Sequence, residues 1–369
     1  MPLRFHWRLI QRGGAAAGRG ERVAADAALP ALDEQAEFCR AAEEHGIDSV
    51  LVDINAGKPD PMVFALPLAR ATRKLKFLVA HRPGLMSPAL FVQQVNTFSA
   101  LSGGRILLNV VAGHSPAEQR AYGDWLDHDE RYRRMDEYLD VCRRFWGGSP
   151  VSFQGSYYRV EEGRLNTPFV SSESPAPEIF LGGSSPQARE VAVRHATCWM
   201  RFADAPETVA RDLADGLPAL PPSLTVGLRL SVMVRPTAAE AVSEARRLVE
   251  EAQASRRGEG EARFVRASDS LSMRSTLALA EEEWLTPYLW AGAVPFYGAT
   301  ALALVGTPED VAASLLEYGR AGVSQFILSS WSRADEMVRF GREVLPLVRR
   351  AELGSTSLAG RSPGSRSGP

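Results

Sequence analysis

The sequence predicts an α/β fold, a (β/α)8 TIM barrel with insertion segments, on three observations. Eight apolar strand-like segments open at Leu3, Ser49, Leu75, Arg105, Glu178, Cys198, Leu224 and Gln325, and most are followed by a helical pattern. Several of these strands run out into glycine or polar residues, which is how α/β proteins build ligand sites past strand carboxyl ends. The chain also lacks GxGxxG, so the open dinucleotide-binding sheet loses its usual sequence support. A length of 369 residues admits one large domain or two ordinary ones; eight β/α units fit a single barrel better.

In chain order, Leu3 to Ile10 reads as a strand, followed by a Gly/Ala-rich loop from Arg12 to Gly20. Leu32 to His45 is a helix closed by Gly46, where a left-handed cap residue is wanted. Ser49 to Ile54 is a strand, Pro61 to Thr72 a helix, and Leu75 to Ala80 a strand. Ser87 and Pro88, as N-cap and first helical residue, open a helix that runs to Leu101 and ends at Gly103-Gly104. Ile106 to Val111 is a charge-free strand that breaks at Ala112-Gly113 into a polar loop carrying His114. A helix then starts at Glu130, with Met135, Leu139, Cys142 and Trp146 on one face.

Val151 to Val160 reads as a β-hairpin turning near Gly155. Glu178 to Leu181 is a strand ending in Gly182-Gly183-Ser184-Ser185, with a helix from Pro186 to Ala196. Cys198 to Phe202, Leu224 to Val234 and Gln325 to Ser329 are strands; Pro206 to Leu217, Ala238 to Ala254, Pro308 to Tyr318 and Ala334 to Arg350 are helices. Ala278 to Gly306 follows no clear period. One domain is therefore expected over 1–354, with a mobile insertion at about 255–306 and a disordered Ser/Gly/Pro/Arg tail over 355–369.

Composition narrows the function. Hydrophobic content of 45% with 23% charged residues is that of a globular protein with ample core. Lys+Arg 42 against Asp+Glu 44 leaves a net charge of -2, which speaks against nucleic acid or an anionic membrane as the main partner. The charged start MPLRFHWRLI does not read as a signal peptide, and no apolar run is long enough to span a bilayer. Cys39, Cys142 and Cys198 are expected to be buried free thiols in a cytoplasmic protein. Metal-site and P-loop spacings are lacking, and no metal is expected.

Several residues could carry chemistry. Gly182-Gly183-Ser184-Ser185 at a strand end and helix start suits a phosphate, or is an ordinary tight turn with Ser185 as N-cap. Arg229, between Leu228 and Leu230, either binds an anionic or polar group or is a buried ion-pair partner. One of His6 and Trp7 must point into the barrel, and His6 could be a core residue or a site group. Lys58 and His81-Arg82 add positive groups around one rim. His128 and Tyr132, four apart, are placed to reach a bound cofactor.

Longer stretches carry a resemblance. They are LKFLVAHRPGLMSP, SGGRILLNVVAG, LDHDERYRRMDEYLDV, IFLGGSSPQAREVA, GLRLSVMVRPT and ALVGTPEDVAASLLEY. In this order, over about residues 1 to 350, the chain resembles the bacterial luciferase-like flavin monooxygenases, and within them the alkanesulfonate monooxygenase branch. The resemblance implies a TIM barrel using reduced FMN (FMNH2) from a separate NAD(P)H-dependent flavin reductase. It implies O2 activated on the flavin to oxygenate a small organic substrate, and a homo-oligomer, dimer or tetramer. Matching motifs make His128 and Tyr132 flavin contacts, Gly183, Ser184 and Ser185 the phosphate loop, and Ala80 and Asn109 neighbours of the flavin ring.

The departures lie in the substrate pocket. Arg229 matches one arginine of the sulfonate-binding set. Ser231 stands at a histidine position, Tyr297 at a second arginine, Trp331 at a tyrosine, Lys58 at a cysteine, Phe202 at a tryptophan and Arg12 at a histidine. Arg229, Lys58, Ser231, Tyr297 and Trp331 are thus the expected catalytic and specificity residues. The loss of charge-assisted donors points to a secondary-metabolite or organosulfur substrate rather than a simple sulfonate. The alternatives are an alkanesulfonate monooxygenase proper, an F420-dependent oxidoreductase on the same barrel, or a catalytically silent flavin-binding protein. Residues 255–306 are expected to close as a lid.

Overall fold

Helix starts and stops explain much of the fold, because prolines and side-chain caps sit where the chain must turn from loop to helix. The computed structural model describes residues 2–9, 11, 32–148, 150–215, 220–254, 267–330 and 335–359, the last five by backbone alone. Eight parallel strands close the barrel: β1 (Arg4–Arg8), β2 (Ser49–Val52), β3 (Lys76–His81), β4 (Ile106–Val110), β7 (Ile179–Gly182), β8 (Cys198–Phe202), β9 (Thr225–Val234) and β12 (Val323–Ser329). They neighbour one another in that order, β8 pairs with β9, and β12 returns to β1. The antiparallel pair β5 (Val151–Gln154) and β6 (Arg159–Gly163) is the expected hairpin.

Among the helices, α1 (Leu32–Glu44) ends at Gly46, whose φ of 76° is the left-handed conformation expected there. The next, α2 (Pro61–Arg70) and α3 (Pro88–Ser102), start on Asp60 and Ser87 caps with proline behind them. A short α4 (Pro116–Ala121) occupies the loop after His114. Helix α5 (His128–Gly147) begins two residues earlier than its apolar period suggested, because Asp127 and Glu130 form a reciprocal capping box. Then come α6 (Pro186–His195), α7 (Pro206–Asp215) and α8 (Ala238–Ala254). Beyond them lie α9 (Leu271–Leu279) and α10 (Pro308–Arg320). The final helix, α11, joins Asp335–Arg339, a π-helical turn over Phe340–Val344, and Leu345–Ala359, so it runs nine residues past the expected Arg350. Residues 360–369 of the expected tail lie outside the described residues.

Side chains alternate strictly along the barrel strands. Phe5, Trp7, Val50, Val79, Leu108, Leu228 and Phe326 point outward into one large core beneath the helices. Leu51, Leu78, Leu107, Phe180, Cys198, Met200 and Ile327 form a smaller cluster filling the lumen. Trp7 is 1% exposed, and burying a side chain of that kind contributes roughly 2–3 kcal/mol. All three cysteines are buried and free. Among the described residues no helix is long and apolar enough to cross a membrane.

The segment without a clear period is ordered structure. Strand β11 (Ala303–Gly306) pairs in parallel with the outer half of β9, and β10 (Leu289–Trp290) pairs antiparallel with β11. It escaped periodicity because it is four residues long and buried on both faces, so it shows no alternation. Ten-residue β9 is shared: its first half pairs with β8 inside the barrel, and past Arg229 β11 takes over that edge.

Candidate active site at the barrel mouth

The strand carboxyl ends bring two groups of residues to opposite walls of one opening. On the β7 side, Gly182 runs into Gly183, whose φ of 134° no ordinary side chain adopts comfortably. A Cβ added there would lie 2.7 Å from the Tyr132 hydroxyl and 2.6 Å from the Ala188 Cβ. Glycine is required because α5 and α6 both press against this turn. Ser185 caps α6 by accepting from the Ala188 N–H at 3.2 Å, while Ser184 stays exposed. His128 lies on the same edge; its ring centroid is 5.0 Å from that of Tyr132, and its Nδ1 is held by Asp129 Oδ1 at 2.8 Å. Burial pushes the Tyr132 phenol up to about 12, so it stays a neutral donor.

Five of the expected cofactor residues, His128, Tyr132, Gly183, Ser184 and Ser185, therefore converge on one edge. The other two, Ala80 and Asn109, are register partners on β3 and β4 and point into the lumen beside it. A tight glycine turn, an exposed serine and the start of a ten-residue helix suit a phosphate monoester. A small and a neutral polar side chain next to them leave room for a planar ring.

Across the mouth stand β1 and β2, with β9 two places round the ring from β7. Asp53 Oδ2 accepts from Arg8 Nε at 2.6 Å and from Lys58 Nζ at 2.7 Å. Arg229 lies within electrostatic reach of the same carboxylate, and its Nη1 donates to the Ile327 carbonyl at 3.1 Å. Burial opposes ionisation of Asp53, yet Arg8 and Lys58 hold it well below the usual carboxylate range. Burial lowers Lys58, and it brings Arg229 down to about 9, with Arg8 adding to the effect. Ser231, one alternation beyond Arg229, shares hydrogen bonds with Ser329 Oγ at 2.9 Å and the Thr300 carbonyl at 2.7 Å.

Two expectations change here. Tyr297 does not join the mouth: its hydroxyl donates to the Leu248 carbonyl at 3.3 Å, and its ring packs in the cluster beneath α8. Sequence spacing could not show this, because the residue lies on a single helical turn (Val294–Tyr297) whose direction is set by β10 and β11. His81 and Arg82 do not make the rim positive. His81 is stacked on Phe91 at 3.6 Å with its Nε2 bonded to the Tyr138 hydroxyl, and burial lowers it to about 3. Arg82 is neutralised by Glu118 at 2.8 Å. Trp331 and Arg12 lie outside the described residues.

Arg8 was missed, although alternation would have found it. His6 proves to be the inward residue of the first strand, edge-on to Phe180 at 5.1 Å, so Arg8 must face inward too. Within the 255–306 segment expected as a lid, residues 268–272 form a clasp whose bonding partners the sequence did not single out. Arg131 is ion-paired with Asp269, Ser268 donates to the His114 carbonyl at 2.8 Å, and Ser272 donates to Ser184 Oγ at 2.7 Å. These bonds join 268–272 to the loops after β4 and β7.

Comparison with known proteins decides the family. Residues 3–325 match the family model for luciferase-like monooxygenases. This chain belongs to that family. Among solved structures it is similar to the EDTA monooxygenase of Chelativorans sp. BNC1, at 21% identity and a TM-score of 0.72 over 95% of this chain and 94% of that one. It is similar also to DmoA from Hyphomicrobium sulfonivorans, at 19% identity and a TM-score of 0.74 over 95% and 89%. An F420-dependent secondary alcohol dehydrogenase aligns at 19% identity and a TM-score of 0.64 over 95% and 100%. At these identities the structures speak for the fold. Luciferase-like membership makes the chain an oxidoreductase of the monooxygenase type.

Proposed function

We propose that this luciferase-like protein is a two-component monooxygenase that takes FMNH2 from a separate NAD(P)H-dependent flavin reductase and uses O2 to oxygenate a small organic substrate. The observation that carries this reading is the convergence of His128 and Tyr132 with Gly183-Ser184-Ser185. Reduced FMN, when bound, would supply the electrons and the site of O2 activation. The protein's part is placement. Ser184, Ser185 and the α6 N-terminus would hold the phosphate, and Tyr132 and His128 would flank the chain leading to the ring. Ala80 and Asn109 would border the ring itself. Arg229 and Lys58 would orient a polar substrate group on the opposite wall, with Ser231 between them and the clasp segment. Residues 268–272, bonded to both flavin-side loops, would hold solvent out of the mouth. A secondary metabolite or organosulfur compound remains the proposed substrate class.

Supply of FMNH2 to the purified protein should produce O2 uptake and, with substrate, a product containing one atom from 18O2. A second reading rests on the F420-dependent dehydrogenase that aligns with this chain along its whole length. In that case F420H2 would transfer hydride with no O2 uptake, and FMN would not bind. Binding of FMN with no oxygenated product across a metabolite panel would instead indicate a silent flavin protein.

A further inference from the structure

A tryptophan on β8 grips the glycine turn after β7 from behind. Cys198 and Met200 point into the barrel lumen, so Trp199 between them points outward, into the core beneath the helices, where it is 4% exposed. Its indole Nε1 donates to the Gly183 carbonyl at 2.8 Å. An indole has a single donor, and a buried one needs a partner; here the partner lies in the turn itself. Strand β8 also supplies the Gly183 N–H with an acceptor, the Met200 carbonyl at 3.3 Å. Both backbone groups of Gly183 are thus held by one strand, the carbonyl by a side chain, at the point where the chain leaves the sheet.

Glycine is needed at 183 because a Cβ would meet Tyr132 and Ala188, yet glycine also leaves the peptide that follows it free to rotate. Trp199 removes that freedom. In a planar trans peptide the C=O and N–H point in opposite directions. A Gly183 carbonyl turned outward onto Trp199 therefore turns the Ser184 N–H toward the mouth. Among the described residues no acceptor takes that N–H. The bond to the carbonyl also polarises the peptide, which strengthens its N–H as a donor. The indole in turn is fixed. The guanidinium carbons of Arg189 on α6 and Arg201 on β8 lie 5.3 and 5.2 Å from its ring centre. Arg201 is anchored to Asp212 of α7 at 2.6 Å.

We propose that Trp199 is a positioning residue for the cofactor phosphate: it aims the Ser184 N–H at the phosphate monoester and so sets a preference for FMN over riboflavin, the same flavin without its phosphate. Serine hydroxyls can swing away from this turn, whereas a peptide held at its carbonyl cannot. The inference rests on the reading of Gly183-Ser184-Ser185 as a phosphate loop, and the test separates the two.

Fluorescence titrations of the full chain with FMN and with riboflavin measure the preference. Trp199→Phe keeps an aromatic ring beside Arg189 and Arg201 but has no N–H. It should weaken FMN binding about tenfold and leave riboflavin within about twofold. A tryptophan needed only for packing would weaken both flavins alike or neither, so an unchanged FMN-to-riboflavin ratio overturns the proposal. Should the variant fail to fold, hydrogen exchange in the unmodified protein decides. FMN should slow exchange of the Ser184 amide and riboflavin should not; equal exchange with both flavins overturns the proposal. If the unmodified protein does not prefer FMN to riboflavin, the phosphate-loop reading fails and takes this inference with it. A preference that survives Trp199→Phe leaves that reading standing and removes the inference alone.

Discussion

His6 and Arg8 are two residues apart on one strand, both face the lumen of one barrel, and they have opposite electrostatic fates. The His6 layer is closed. Its Nε2 donates to Gln325 Oε1 at 2.9 Å, its Nδ1 accepts from Ser49 Oγ at 2.7 Å, and burial lowers its pKa to about 3. Every polar atom of the ring has a partner inside the protein, so the layer is neutral and finished. One layer higher, Arg8, Lys58 and Arg229 lie, among the described residues, around the Asp53 carboxylate. A closed layer stabilises the barrel, whereas an open one is suited to a ligand. Depth along a single strand separates the two roles.

The sharpest way to break this contrast is Asp53→Ala. It leaves the buried Lys58 and Arg229 without their carboxylate and should destabilise the fold by about 3 kcal/mol, read from the urea midpoint. Lys58→Met leaves Asp53 paired with Arg8 and should leave that midpoint nearly unchanged. Equal losses from the two variants would mean the cluster is an ordinary structural ion pair. In the closed layer, His6→Leu strands Ser49 and Gln325 at once and should cost about 2–3 kcal/mol with no change in ligand preference.

On the β7 wall, Gly183→Ala forces a Cβ against Tyr132 and Ala188 in a backbone conformation that disfavours it. A loss of about 1–3 kcal/mol is expected, together with weaker FMN binding by fluorescence. Acidification probes the buried imidazoles. His6 and His81 have folded pKa values of about 3 against an ordinary 6.5, so the unfolded chain takes up protons first. Their neutral forms favour folding fully above pH 6.5, and this contribution falls as pH drops toward 3. The slope is about 1.4 kcal/mol per pH unit for each ring. Urea midpoints between pH 6.5 and 5 should show a shallower slope in His81→Phe than in the unmodified protein. The smallest effect belongs to Tyr297→Phe, which loses one 3.3 Å hydrogen bond and should change stability by less than about 0.5 kcal/mol. A change in substrate preference in that variant would return Tyr297 to the site.

Much of this was legible in the chain. Alternation, proline starts and glycine stops located all eight barrel strands, since each signal is local and repeats along the sequence. The Gly182–Ser185 turn and the His128–Tyr132 pair were readable for the same reason: four residues on a helix, or four at a strand end, define their own geometry. Arg229 was noticeable as a lone charge between leucines. Strand β11 was not, because four apolar residues carry no period.

What the sequence by itself determined is the set of barrel strands and helices, each marked by local pattern, and the clustering of His128, Tyr132 and Gly183-Ser184-Ser185 at strand and helix ends. Only the tertiary structure decided that Arg8, Asp53, Lys58 and Arg229 meet, that Tyr297 turns away under α8, and that 268–272 clasps the loops after β4 and β7. Arg8 and Arg229 are 221 positions apart in the numbering and come together through strand register and ring closure. Charge balance in a shared, poorly hydrated space is a property of that meeting, and none of its members carries it alone.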